Sequence, residues 1–232
     1  MRTALVVVLL TLPGCARPPP APLLPTVRVD VWHDTVCPWC RIGLHNLDTV
    51  VASSKDVRVE VVHHAFLLDP STPPGGRDFR EHLGAKFGGV DRLDGAFQRV
   101  SAAGAPYGVR FAWDKIRVSP DTTTSHSLIA WAPVEKRAAL VDAIHKAHFE
   151  DGLDIGDVEV LAALAKSAGL EVEGARTAMK DSARREKTRA EALAAANQGI
   201  TGVPHFVIGA QQLNGAQSPD ALAAAIRAAL VK

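Results

Sequence analysis

The chain has 232 residues, 47% of them apolar and 22% charged, with 26 basic against 25 acidic side chains. That composition fits one large globular domain, or a small domain carrying an insert, and excludes a chain too polar to bury a core. Near-neutral charge without a basic run argues against a nucleic-acid partner, and no segment is long enough for a transmembrane helix.

The N-terminus reads as a targeting segment. Arg2 is a minimal basic region, and Ala4 to Leu12 is an apolar stretch too short to span a bilayer. It ends in Leu12-Pro13-Gly14-Cys15, which resembles the lipobox of bacterial lipoproteins, with Pro13 where a small residue is usual. The resemblance implies a signal peptide over 1–14 and lipidation of Cys15; an ordinary signal peptide followed by an unrelated Cys15 is the other reading. Either way the chain is exported, into a compartment where disulfides persist. Residues 15–26 are rich in proline. They predict an extended tether that, at about 3.1 Å per residue, spans on the order of 30 Å.

Residues 27–32 alternate apolar and polar and predict a strand. A helix follows from Pro38 to about Ala52, and Val57 to His64 alternate as a second strand. Together they make a βαβ unit with parallel strands and a right-handed crossover. This first part occupies 27–68.

From 69 to 197 the pattern turns helical, with no strand signal. Arg77–Phe87, Asp91–Ala103, Thr122–Ala132, Val134–Glu150 and Asp157–Ala168 are predicted helices, and Ala175–Asn197 one or two more. Sheet periodicity returns at His205–Ile208 and Gln211–Leu213, with Asn214-Gly215 closing the hairpin. Ser218 and Pro219 then open a last helix with Leu222, Ile226 and Leu230 on one face. The order is βαβ, a helical block, then ββα over 198–232. The predicted class is α/β: a thioredoxin fold interrupted by an inserted all-helical domain.

Cys37-Pro38-Trp39-Cys40 holds two of the three cysteines. Two thiols three positions apart at a helix start can close and reopen a disulfide. The first lies where helix N–H groups and the helix dipole favour a thiolate. A pair this close encloses almost no loop, so it adds little stability; chemistry explains it better than stapling. The reading is thiol–disulfide exchange. The alternative is a soft-metal-binding lipoprotein or metal chaperone using the same two thiols.

Several blocks carry a family resemblance: Asp34-Thr35-Val36-Cys37-Pro38-Trp39-Cys40, Phe66-Leu67-Leu68-Asp69-Pro70, the stretch from His148 to Ile155, and Gly199 to Val207. They resemble the DsbA-like thioredoxin superfamily, and within it the FrnE-like branch of disulfide oxidoreductases. The resemblance implies Cys37 as nucleophile and Cys40 as resolving thiol, with Pro38 and Trp39 tuning the pair. It implies a cis bond at Val203-Pro204, where the Val203 backbone would pair with an extended substrate. Asp30, on the strand before the motif, resembles the buried acid of thioredoxins with one extra loop residue, and would accept a proton from Cys40. Asp34 would shape the loop and His205 would pack. Arg41 would either supply charge beside the thiols or point to solvent. The inserted helices would form a lid. Relatives that isomerise hydroxychromene carboxylates or bind glutathione typically have Ser at the Cys37 position, which disfavours that activity here.

The implied redox centre is the Cys37–Cys40 disulfide, with no further cofactor. Implied partners are cysteine-containing exported proteins, a redox partner that resets the disulfide, and the membrane through Cys15. The implied location is the bacterial cell envelope, on the periplasmic side where an outer membrane exists. His63-His64 and the His145/His148 pair invite a metal reading, but no second Cys pair completes a zinc ribbon, so no metal site is assigned.

Overall fold

A computed structural model describes residues 24–230. The signal peptide, Cys15 and most of the tether lie outside the described residues.

Strand β1 (Thr26–His33) is central to the four-stranded sheet, whose order is β2 (Arg58–Ala65), β1, β5 (His205–Ile208), β6 (Gln211–Asn214). β1 pairs parallel with β2, as the βαβ reading requires, and antiparallel with β5. Its alternation sends Val27, Val29 and Val31 to one face. There they meet Leu44, Leu47 and Val50 of α1 (Pro38–Ser53) and Leu222 and Ile226 of α9 (Pro219–Ala229). Trp32 lies on the opposite face, stacked on His64 with ring centroids 4.4 Å apart. Proline in the first turn starts α1, because its missing N–H has no helical acceptor there.

Between β2 and β5 runs the helical insertion that makes this a DsbA-like thioredoxin fold. Its helices are α2 (Phe79–Phe87), α3 (Leu93–Gly104), α4 (Thr123–Trp131), α5 (Val134–Phe149), α6 (Val158–Ser167), α7 (Val172–Lys180) and α8 (Ser182–Asn197). The long segment after Ala175 is two helices, broken at Asp181, whose carboxylate accepts from the Ala183 and Arg184 N–H groups and so caps α8. One expectation fails. The block is not free of strand: Arg77–Asp78 (β3) and Val118–Ser119 (β4) pair antiparallel. Two residues are too few to display a period, so the sequence carries no trace of them.

Of two satellite cores, one lies within the insertion and the other fixes it against α1. Phe79, Leu93, Phe97, Ile116 and Phe149 form one, with Trp113 stacked on Phe97 at 4.4 Å. In the other, Ile42 of α1 packs with Val100 and Val109. Helix α4 differs from its neighbours: Thr123 through Ile129 are all buried, polar and apolar alike.

Candidate active site

Cys37 is the N-cap of α1, in extended conformation, and Cys40 lies one turn in. Both are buried thiols, Cys40 with 0% exposure. The Cys37 thiol donates toward the Val203 carbonyl at 3.6 Å. Burial pushes the Cys40 thiol well above the usual range, and the neighbouring Cys37 adds to this. The pair is therefore asymmetric: one sulfur sits at the helix mouth, and the other is enclosed and holds its proton.

The Val203–Pro204 bond is cis. Pro204 reaches α1 where Gly43 leaves room: a Cβ at Gly43 would lie 2.9 Å from Pro204 Cγ. The loop before β5 is thus seated directly on the motif helix, which brings Val203 to Cys37.

A cavity of about 450 Å³ opens beside Cys37. Trp39, 40% exposed, stands on one side, and Phe79, Phe97, Trp113 and Phe149 of the insertion form an apolar wall. Lys86, paired with Asp69 at 3.2 Å, and Arg99 also line it. The volume falls in the range of sites that take a small molecule or a few side chains.

Asp30 does not occupy the position expected of it. Its side chain lies on the sheet face opposite α1, where it accepts two bonds from Arg28 at 2.7 Å and meets His64 Nε2 at 2.6 Å. Arg28 holds its carboxyl below the usual range, which makes it a poor proton acceptor. The cause is parity: one extra loop residue turns a strand side chain to the other face, and Val31 stands on the face toward α1.

Asp34 is the acid near the thiols. Its carboxylate accepts from the Leu68 N–H at 2.7 Å and its carbonyl from the Cys37 N–H at 3.0 Å. It does shape the loop, and its negative charge opposes ionisation of Cys40. Arg41 neither points to solvent nor serves the thiols as a free charge. It is 3% exposed, bonded to Glu150 and 3.6 Å from Asp142 of α5. His205 packs against Trp32 and bonds Asn214 at 2.6 Å.

The histidines do not assemble a metal site: among the described residues no group of three or more His, Cys, Asp or Glu is placed to hold an ion. His33, His126, His145 and His148 form a buried wall behind the motif loop, with half-buried His63 at its edge. His63 Nδ1 is 3.3 Å from His33 Nε2, and the His33 ring lies 5.2 Å from that of His126 and 6.3 Å from that of His145. Burial pushes His33 well down, His63 and His145 to about 3, and His148 to about 4. Thr35 and Ser125 hydroxyls meet at 2.8 Å across the same wall.

Residues 28–227 match the DSBA-like thioredoxin domain. The chain belongs to that family. A probable DsbA oxidoreductase from Streptomyces coelicolor is 30% identical, with a TM-score of 0.77 over 89% of this chain and 91% of that one. The uncharacterized protein YwbO of Bacillus subtilis is 25% identical over 210 residues, 87% of this chain and 96% of YwbO. The cytosolic disulfide reductase DsbM from Pseudomonas aeruginosa shares the fold at 21% identity and a TM-score of 0.62, covering 88% of this chain and 98% of DsbM. This DsbA-like protein is accordingly a protein disulfide oxidoreductase.

The sequence reading did not place His126, Glu150 or the aromatic wall at the site. The signal for the first was the run Thr122-Thr123-Thr124-Ser125-His126-Ser127 inside a predicted helix. So polar a run needs a polar surface to pack against.

Proposed function

We propose that the protein exchanges disulfides with cysteine-containing exported proteins through Cys37-Pro38-Trp39-Cys40. Cys37 forms the mixed disulfide with the substrate sulfur, and Cys40 displaces that sulfur to close the Cys37–Cys40 bond; run backward, the same steps oxidise a substrate dithiol. The observation that carries the reading is the asymmetry of the pair, with Cys37 at the cavity and at the Val203 carbonyl and Cys40 enclosed behind it. The Val203 backbone would pair with an extended substrate beside Pro204, and the apolar cavity would take side chains flanking the reacting cysteine. A redox partner resets the pair, and the reduction potential against that partner sets whether it runs as oxidase, isomerase or reductase. Lipidated Cys15 would hold the domain at the envelope membrane through the tether.

The test is a Cys40→Ala variant expressed in the native envelope, with mixed disulfides captured on non-reducing gels. Trapped partners that vanish in Cys37→Ala support the reading. An absence of any trapped partner overturns it. Cys15→Ser should release the protein from the membrane fraction, and retention of that variant would remove the anchor.

A further inference from the structure

Closing the Cys37–Cys40 disulfide requires Cys40 to lose a proton, and opening it returns one. Cys40 is fully enclosed, so the acceptor has to be part of the wall behind the first turn of α1. Asp30 lies on the wrong face of the sheet. Asp34 is seated against the start of the motif helix, its carbonyl accepting from the Cys37 N–H at 3.0 Å, and its charge opposes ionisation of Cys40. It is 1% exposed. One carboxylate oxygen is taken by the Leu68 N–H; the other has only a 3.4 Å contact from the Val36 N–H and faces His126 Nε2 at 3.7 Å. His126 is 2% exposed, and its Nε2 has no hydrogen-bond partner. A buried, unpartnered ring nitrogen beside a buried carboxylate is costly unless something enters between them or draws them together.

We infer that Asp34 and His126 form the proton-transfer pair for Cys40. The inference rests on the exchange reading above and names the groups that make its second step possible. The Cys40 proton passes to the pair, directly or over one water. On taking it, the two groups 3.7 Å apart are drawn into a hydrogen bond. The Cys40 thiolate attacks Cys37 Sγ; the Cys37–Cys40 bond forms, the bond from Cys37 to the substrate sulfur breaks, and the substrate leaves as a thiolate with that electron pair. In reverse, a substrate thiolate attacks Cys37 Sγ, Cys40 leaves, and the pair returns the proton. No further oxidant or reductant enters either step.

The other titratable groups around Asp34 do not compete. His33 from β1, His63 from β2, and His145 and His148 from α5 are held neutral by burial. Arg41 from α1 is matched by Glu150.

The test is stopped-flow reaction of the reduced protein with the aromatic disulfide DTNB. The first absorbance step reports attack by Cys37 and scales with reagent. The second reports attack by Cys40 and does not. Asp34→Asn and His126→Gln should each slow the second step tenfold or more at pH 7 and leave the first within twofold. The slowed step should recover about tenfold per pH unit toward pH 9, as hydroxide replaces the pair. If Asp34 acted only through its charge, Asp34→Asn would speed the second step, and that result overturns the pair. An unchanged second step in both variants also overturns it, as does equal slowing of both steps without recovery at high pH, which would mark a loop defect. Absence of the second step in the unmodified protein would instead overturn the exchange reading itself.

Discussion

Mild acid should unfold this protein, because the wall behind its active site is built from uncharged histidines. Burial holds His63 and His145 at about 3 and His148 at about 4, and drives His33 well down. In the unfolded chain each ring meets water and takes a proton near pH 6.5, as roughly expected of a free histidine. The folded values lie below the unfolded one, so the stabilisation is complete above about pH 6.5 and is lost as pH falls toward the folded values. At pH 5.5 the His63, His145 and His148 rings are each about nine-tenths protonated when unfolded and almost unprotonated when folded, and His33 acts in the same direction. From those three rings unfolding takes up roughly 2.7 protons, and stability falls by about 4 kcal/mol per pH unit. An ordinary domain stability of roughly 5–15 kcal/mol is exhausted within about one to four such units. Urea unfolding followed by tryptophan fluorescence at pH 7.5, 6.5 and 5.5 reads this directly. His145→Gln should reduce the slope by about 1.2 kcal/mol per unit, the share of one ring. A midpoint that stays flat between pH 7.5 and 5.5 would refute the buried neutral wall.

Two further predictions concern α1. Burial and the charge of Asp142 push the Asp48 carboxyl up to about 7; a raised acid costs nothing below its unfolded value, and the penalty grows with pH until the folded value is passed. Asp48→Asn should therefore stabilise the fold at pH 8 by on the order of 2 kcal/mol, after discounting for partial exposure, and by about half as much at pH 5.5; an equal gain at both would show that charge is not the cause. Gly43→Ala should gain about 1 kcal/mol of helix propensity and lose about 1–3 to overpacking, because its Cβ would meet Pro204, Ala216 and Phe206 at 2.9, 3.3 and 3.3 Å. Displacing the loop that carries Val203 should slow the first DTNB step several-fold, and a variant that is more stable and equally fast would show that the contact yields freely.

The parts legible in the sequence are those whose evidence is local. β1 announces itself by alternation, α1 by the proline after Cys37, and α9 by Ser218, whose hydroxyl accepts from the Ala221 N–H. The redox motif is legible for the same reason: its two thiols lie within one helical turn. What was not legible depends on partners far along the chain. Arg41 and Glu150 are separated by 109 positions and Thr35 and Ser125 by 90, and nothing in either neighbourhood names the other. The Asp30 expectation failed on a single residue of register, the kind of difference a resemblance conceals and a strand amplifies, since each step along it reverses the face.

These long-range partners also explain how the insertion governs the motif. The first turn of α1 is held from three directions: Arg41 by Asp142 of α5 and by Glu150 at that helix's C-cap, Ile42 by Val100 of α3, and the preceding loop by Ser125 of α4. Successive helix residues point about 100° apart, so adjacent positions can engage different helices. Helix α5 takes part twice over. Phe149 closes the apolar wall of the cavity and His145 lies in the polar wall, while Glu150, the C-cap of the helix, anchors Arg41. The surface beside the thiols and the surroundings that set their protonation are therefore built from neighbouring turns of one helix. A shift of α5 cannot reshape one without disturbing the other.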